Sequence, residues 1–103
     1  MQQGQVWVSE SRISGRKSRI VVVDGDTIAN LRQRLIVAPI REGREVPNQF
    51  QLLSVPLPGT SEIIAVYDLL LIDKESFTEY EGSVSSETLE RIKTSGLGAR
   101  FDL

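Results

Sequence analysis

The 103-residue chain contains no cysteine and no histidine. Without cysteine it has no disulfide bond, no thiol nucleophile and no cysteine-ligated zinc. Without histidine it lacks the most common metal ligand and the one side chain that ordinarily titrates near neutral pH. We therefore expect no metal or other cofactor. Any acid–base chemistry must use carboxylates, lysines or tyrosines, with arginines supplying charge.

Long apolar runs are also missing. No stretch approaches the roughly 18 apolar residues that predict a membrane-spanning helix, and residues 1–4 do not begin a signal peptide. The length is near the commonest size of one domain, and a hydrophobic content of 40% is enough for one core. These features predict a single domain over residues 1–103 that is cytoplasmic and has no membrane partner.

The net charge of −2 hides an asymmetry between the two parts of the chain. Residues 1–44 carry eight basic and four acidic side chains, whereas residues 45–103 carry four basic and ten acidic ones. Seven of the first eight are arginines, whose guanidinium matches the geometry of phosphate oxygens. This pattern favours a nucleic-acid-facing first part. Solvated arginines on loops are the alternative.

Short β-branched and alternating runs predict strands at residues 4–8, 19–23, 35–40, 50–55, 63–66 and 69–72. The run 19–23 is typical of a central strand buried on both faces. Pro39 should lie at a strand end or a sheet edge.

The sequence also predicts two helical segments. One helical turn capped by Asp26 or Thr27 should end at Leu31. A C-terminal helix should start at a Ser85 cap and end at Gly96. The fold class is therefore α+β, a small, strongly curved antiparallel β-sheet or partly open barrel with a C-terminal helix.

Four stretches in this order resemble the MazF/PemK/CcdB-like toxins of bacterial type II toxin–antitoxin modules. They are Gly4-Gln5-Val6-Trp7, the run from Arg19 to Val23, Ile36-Val37-Ala38-Pro39-Ile40, and a C-terminal third that contains Asp68, Leu69 to Lys74 and Gly82 to Lys93. The resemblance implies a MazF/CcdB-like, SH3-like fold, a homodimer and a cognate antitoxin. Most members of that family are mRNA interferases, endoribonucleases that cut single-stranded RNA without a metal.

The resemblance also implies where the chemistry would lie. Cleavage by a 2′-hydroxyl needs a base, a cation for the phosphorane and an acid for the leaving 5′ oxygen. The family's carboxylate is retained as Asp68, whereas its catalytic Arg falls at Ser18, its Ser or Thr at Arg41 and a second Arg at Val66. Our hypothesis is that Asp68 is the base or orients it. Neighbouring cations then replace the lost ones: catalytic Arg19 and Arg41, and RNA-binding Arg12, Arg16, Lys17 and Arg44.

Three alternatives stay open at this stage. Asp68 could simply end a strand and bind backbone amides. The run from Ser18 to Asp24, with Arg32 and Arg34, is closer to the CcdB-like branch of the family. Members of that branch inhibit DNA gyrase by protein–protein contact through the end of the last helix. The corresponding segment of this sequence is Gly98-Ala99-Arg100-Phe101-Asp102-Leu103. The chain could also be a non-catalytic relative that keeps only the fold and antitoxin binding. If loops 12–19 and 41–44 form one basic groove, an acidic antitoxin tail should occupy it.

Overall fold

The computed structural model describes residues 1–98, which form one antiparallel sheet system with two short helices. Helix α1 spans Asp26–Leu31, and α2 spans Ser86–Arg91 and continues as a π-helical turn, Ile92–Leu97. No helix within these residues is long and apolar enough to cross a membrane. The strands are β1 (Gln5–Glu10), β2 (Lys17–Val22), β3 (Arg34–Glu42), β4 (Ser54–Pro56), β5 (Glu62–Ala65), β6 (Leu70–Asp73) and β7 (Phe77–Ser83).

The sheet is organised around β3. The strand order is β4-β5-β3-β2-β1-β7, and β6 also pairs with β3. Residues 34–37 of β3 pair with β6 and residues 40–42 pair with β5, while β2 pairs with residues 37–39. All pairs are antiparallel, and the path from β4 to β7 does not close over the described residues. The predicted α+β fold, a curved antiparallel sheet with a C-terminal helix, is confirmed.

Strand β2 is buried on both faces, as its β-branched sequence predicts. Val21 packs in a cluster that includes Ile64 of β5 and Ile92 after α2. Its neighbour Ile20 points to the opposite side, into a second cluster that includes Leu35 of β3 and Ala29 of α1. Each fully buried aliphatic side chain of this kind contributes roughly 1.5–3 kcal/mol. The two clusters therefore hold β2 and β3 rigidly at the centre of the sheet.

Pro39 departs from the prediction because it lies inside β3 rather than at an end or on an outer edge. It is the register partner of Ile20 on β2. On the other side of β3, pairing with β6 ends at Val37, and pairing with β5 begins only at Ile40. Pro39 thus occupies a gap in the second ladder, where the amide hydrogen that proline lacks is not needed.

One predicted strand has wrong boundaries, and one strand was not predicted. Residues 50–55 were expected to be extended, but Asn48–Leu53 forms a 3-10 turn and β4 is confined to Ser54–Pro56. Strand β7 was not predicted because, among residues 1–98, it lies at a sheet edge, pairs with β1 alone and has mostly exposed, polar side chains. An edge strand exposed to water carries little hydrophobic pattern from which it could be recognised.

The helix signals were only partly correct. Ser85 caps α2 as predicted, because its hydroxyl accepts a hydrogen bond from the Thr88 amide at 3.1 Å. Gly25, not Asp26 or Thr27, precedes α1 as its cap. Gly96 does not end the helix. It lies within the turn Ile92–Leu97, where a Cβ would come within 2.9 Å of Cγ2 of Val66, so close packing rather than a helix stop requires glycine there.

Candidate functional site

An open groove of about 1000 Å³ runs between the β1–β2 loop and the strands β3, β5 and β6. It brings together five of the seven side chains that the sequence nominated: Arg12, Arg16, Lys17, Arg19 and Arg41. Arg44 is exposed and lies outside the lining of the groove. Asp68 also lies outside the lining, but it is bonded directly to Arg41. Residues that are distant in the sequence are thus assembled on one surface.

Arg41 is held in this groove by two side chains from the turn that follows β5. Its Nη2 donates to Oδ2 of Asp68 at 2.5 Å, and its Nη1 donates to the hydroxyl of Tyr67 at 3.1 Å. Partial burial by itself would lower the pKa of Arg41, but the hydrogen bonds to Tyr67 and Asp68 outweigh burial and raise it. A guanidinium has five N–H donors, and these two contacts use two of them. The remaining donors can bind a phosphate in a fixed orientation.

Two aromatic rings support this arginine, and neither was predicted from the sequence as part of the site. Phe50, in the 3-10 turn before β4, stacks on Tyr67 with ring centroids 4.8 Å apart and ring planes 5° from parallel. The Arg41 guanidinium lies 5.7 Å from the centre of the Tyr67 ring. The only sequence signal was the position of Tyr67 directly before Asp68, since the stacking partner is 17 residues away. The stack restricts the orientation of both Tyr67 and Arg41.

Arg19 is held by two carboxylates of its own chain. Its Nη1 donates to Oε1 of Glu62 on β5 at 2.7 Å, and its Nε donates to Oε1 of Glu81 on β7 at 2.7 Å. The hydrogen bond to Glu62, and then the one to Glu81, raise the pKa of Arg19 above its usual value. One cation between two anions has a net charge of −1. We call this three-residue cluster the Arg19 clamp.

The groove as a whole is close to electrically balanced. Its lining contains five basic side chains and four acidic ones, Glu42, Glu45, Glu62 and Asp73. Arg12 at its rim is also paired, with Glu75, although both side chains are largely exposed and such a pair adds little stability. The excess of arginine that was visible in residues 1–44 is therefore largely compensated by acids from the second part of the chain.

Asp68 follows β5 at the end of the turn Val66–Asp68, and the bond described for its carboxylate runs to Arg41 rather than to backbone amides. The side chain of Asp68 is 41% exposed, so substrate can reach it. Within residues 1–98, no three carboxylates are grouped so that they could hold a metal ion. Residues 99–103, at the end of the C-terminal segment through which the CcdB-like alternative would contact gyrase, lie outside the described residues.

No protein-family model matches this chain, and no curated protein matches it. Solved structures of toxins do match. An endoribonuclease in complex with its cognate antitoxin from a mycobacterial species has a TM-score of 0.78 and 14% identity, over 100% of this chain and 96% of that chain. The Mycobacterium tuberculosis toxin MazF-mt6 has a TM-score of 0.77 and 13% identity, over 96% and 97%.

A third solved structure, MazE–MazF from Deinococcus radiodurans, has a TM-score of 0.76 and 16% identity and covers 100% of this chain and 97% of that one. Near-complete coverage in both directions means that the elements correspond from end to end. The chain therefore has the fold of the MazF toxins, as the four short sequence stretches predicted.

Proposed function

We propose that the chain is the toxin of a type II toxin–antitoxin module and that it cleaves single-stranded RNA without a metal ion. The observation that carries the proposal is the ion pair of Arg41 and Asp68 at the edge of an open groove. It unites a fixed cation with a carboxylate base, the two groups that attack by a 2′-hydroxyl requires. The likeness to an endoribonuclease and to MazF toxins supports the same reaction class.

In this proposal Arg41 binds the scissile phosphate with the N–H groups that Tyr67 and Asp68 do not use. Asp68 takes the proton of the 2′-hydroxyl as the oxygen attacks phosphorus. The negative charge that develops on the phosphorane lies against the guanidinium of Arg41. Arg12, Arg16, Lys17 and Arg44 bind neighbouring phosphates along the strand, and Arg19 joins them when a phosphate displaces one carboxylate of its clamp.

The direct test is to incubate the purified protein with single-stranded RNA in the presence of EDTA and, in parallel, with DNA gyrase and plasmid DNA. RNA fragments with defined ends support the proposal. Trapping of gyrase on DNA without RNA cleavage would support the CcdB-like alternative. Activity in neither assay would identify a non-catalytic relative.

The Arg19 clamp predicts that removal of its two carboxylates strengthens the binding of nucleic acid. Replacing both Glu62 and Glu81 with glutamine removes two negative charges that lie within 2.7 Å of a groove cation. The variant should bind an uncleavable single-stranded oligonucleotide at least about fivefold more tightly than the wild type, since one relieved like-charge contact contributes on the order of 1 kcal/mol near the surface. Fluorescence anisotropy at low and high salt measures this change.

The matched control for this double variant is Glu79→Gln. It removes one negative charge from the same strand, β7, but leaves the two carboxylates that bind Arg19, Glu62 and Glu81, unchanged. It should leave the affinity almost unchanged. If the double variant binds no better than this control, Arg19 does not contact the nucleic acid.

We further propose that two copies form a homodimer. Ile36 on β3 and Leu71 on β6 are direct register partners, so their side chains lie side by side, and they are 38% and 62% exposed. Leu31 at the end of α1 is 78% exposed. A twofold-related copy would cover such apolar side chains. Leu71 also lines the groove, so the second copy would border the RNA site.

Sedimentation velocity tests this arrangement. The wild type should sediment as a dimer at micromolar concentration, and Leu71→Glu should sediment as a monomer, because a charge would be buried without a partner. Leu52→Glu, at a position that is 84% exposed in the 3-10 turn before β4, should remain dimeric. A monomeric wild type would contradict the proposal.

The antitoxin is the second expected partner, as for the endoribonuclease and the MazE–MazF complex that share the fold. The groove offers cations next to apolar side chains such as Ile13 and Leu70. This mixture fits an extended acidic segment with apolar anchors, which would compete with RNA for the same cations. We propose that the protein acts in the cytoplasm, where both partners would meet it.

A further inference from the structure

Cleavage of RNA needs a proton donor that the sequence hypothesis did not name. When the bond between phosphorus and the 5′ oxygen breaks, the electron pair stays on that oxygen, and an alkoxide leaves poorly unless it is protonated. The resemblance places an arginine of some family members at Val66, which carries no proton to donate. The chain has no histidine that could take this role.

Three carboxylates in or beside the groove already accept hydrogen bonds from other side chains. Glu62 accepts from Arg19, and Glu42 accepts from the hydroxyl of Ser61 at 2.8 Å. Asp68 accepts from Arg41 and is already assigned to the 2′-hydroxyl. A hydroxyl group that carries a proton of its own is found beside the same arginine, on Tyr67.

Tyr67 and Asp68 are placed to serve the leaving 5′ oxygen and the entering 2′ oxygen, respectively. One nitrogen of the Arg41 guanidinium donates to the Tyr67 hydroxyl and the other to the Asp68 carboxylate, at 3.1 and 2.5 Å. A phosphate bound by the remaining N–H groups of Arg41 would have the phenol and the carboxylate toward opposite ends of the fork. In-line displacement places the entering and the leaving oxygen on opposite sides of phosphorus.

Packing fixes the phenol in this place. The stacked Phe50 ring, 4.8 Å away and nearly parallel, covers one face of Tyr67 and limits rotation of its side chain. Both rings are half-buried, and the Tyr67 hydroxyl lies 3.1 Å from Nη1 of Arg41, a residue that lines the groove. Such preorganisation is what an effective proton donor requires.

We propose that Tyr67 is the general acid of the reaction. This assignment rests on the proposed ribonuclease function. The 2′ oxygen forms a bond to phosphorus and gives its proton to the Asp68 carboxylate. The bond between phosphorus and the 5′ oxygen breaks, and that oxygen takes the proton of the Tyr67 hydroxyl while Arg41 neutralises the phenolate that results.

The products are a 2′,3′-cyclic phosphate and a 5′-hydroxyl. The proton held by Asp68 then returns to Tyr67 through solvent, which restores the starting state. No oxidant, reductant or further reactant is consumed.

The experiment compares two RNAs after the wild type has defined a cleavage site on the unmodified strand. In the second RNA the 5′-bridging oxygen at that site is replaced by sulfur, which leaves as a stable thiolate and needs no proton. Tyr67→Phe keeps the ring that stacks on Phe50 and removes only the hydroxyl. We expect it to cleave the oxygen substrate about 100-fold more slowly than the wild type and the sulfur substrate at about the wild-type rate.

Asp68→Asn is the matched comparison, because loss of the base should slow cleavage of both RNAs. If Tyr67→Phe is slowed equally on both RNAs, Tyr67 only positions Arg41 and the assignment as general acid is wrong. If it cleaves both at the wild-type rate, Tyr67 has no role, and the assignment is again wrong while the ribonuclease function stands. If the wild type cleaves neither RNA, the proposed function itself fails, and this assignment with it.

Discussion

Arg41→Ala should lower the rate constant for RNA cleavage by ~10²–10³, because it removes a preorganised cation from the developing phosphorane charge. The melting temperature should change by only a few degrees. The Asp68 carboxylate that loses its partner is 41% exposed and can be hydrated. Single-turnover cleavage of a labelled RNA measures the chemical step, and differential scanning calorimetry measures the stability.

Two companion variants sharpen this result. Arg44→Ala removes an exposed arginine that we assign to RNA binding but that lies outside the groove, so with saturating enzyme it should leave the chemical step within a few-fold of the wild type. Arg41→Lys keeps the charge, but an ammonium lacks the planar fork that binds Tyr67 and Asp68 together. It should therefore be nearly as slow as Arg41→Ala. Full activity of Arg41→Ala would exclude this arginine from the reaction.

Asp68→Asn should lower the same rate constant by ~10²–10⁴, the range typical for loss of a general base. The amide keeps the shape and can still accept a hydrogen bond from Arg41, so RNA binding should change little. Glu45→Gln, which removes an exposed acid from the groove lining, is the control and should retain activity.

Combining Asp68→Asn with Arg41→Ala tests whether the pair acts as one unit. The double variant should be hardly slower than the slower single variant, since two groups of one catalytic unit show strongly non-additive effects. Additive losses would mean that the two side chains serve separate steps.

The elements that could be predicted from sequence are those whose stability is local or whose apolar pattern is unambiguous. Residues 20–23 are continuously β-branched, and Ser85 precedes a helix with a polar first turn; the strand and the helix cap were both predicted correctly. Residues 50–55 alternate in hydrophobicity, but Asn48–Leu53 turns so that Phe50 meets Tyr67, a contact that alternation alone does not encode. The role of Gly96 depends on a close approach to Val66, 30 residues away.

The candidate site divides in the same way. Resemblance to a family nominated Asp68 and Arg41, and the fold brings them into contact. The pairing of Arg19 with Glu62 and Glu81 depends on sequence separations of 43 and 62 residues. In the sequence, residues 1–44 have an excess of basic side chains. Only the folded sheet brings the neutralising carboxylates of β5 and β7 to the same surface.

The most direct measurement of the central claim is the chemistry of the RNA ends after cleavage in EDTA. The wild type should leave a 2′,3′-cyclic phosphate and a 5′-hydroxyl, identified by mass spectrometry, and should not cut a strand with a single 2′-deoxy nucleotide on the 5′ side of the cleaved bond. Arg41→Ala, prepared in the same way, should leave both strands intact over the time in which the wild type cleaves the unmodified strand. A 5′-phosphate product, or cleavage of the deoxy-substituted strand, would contradict attack by the 2′-hydroxyl and with it the roles assigned to Arg41 and Asp68.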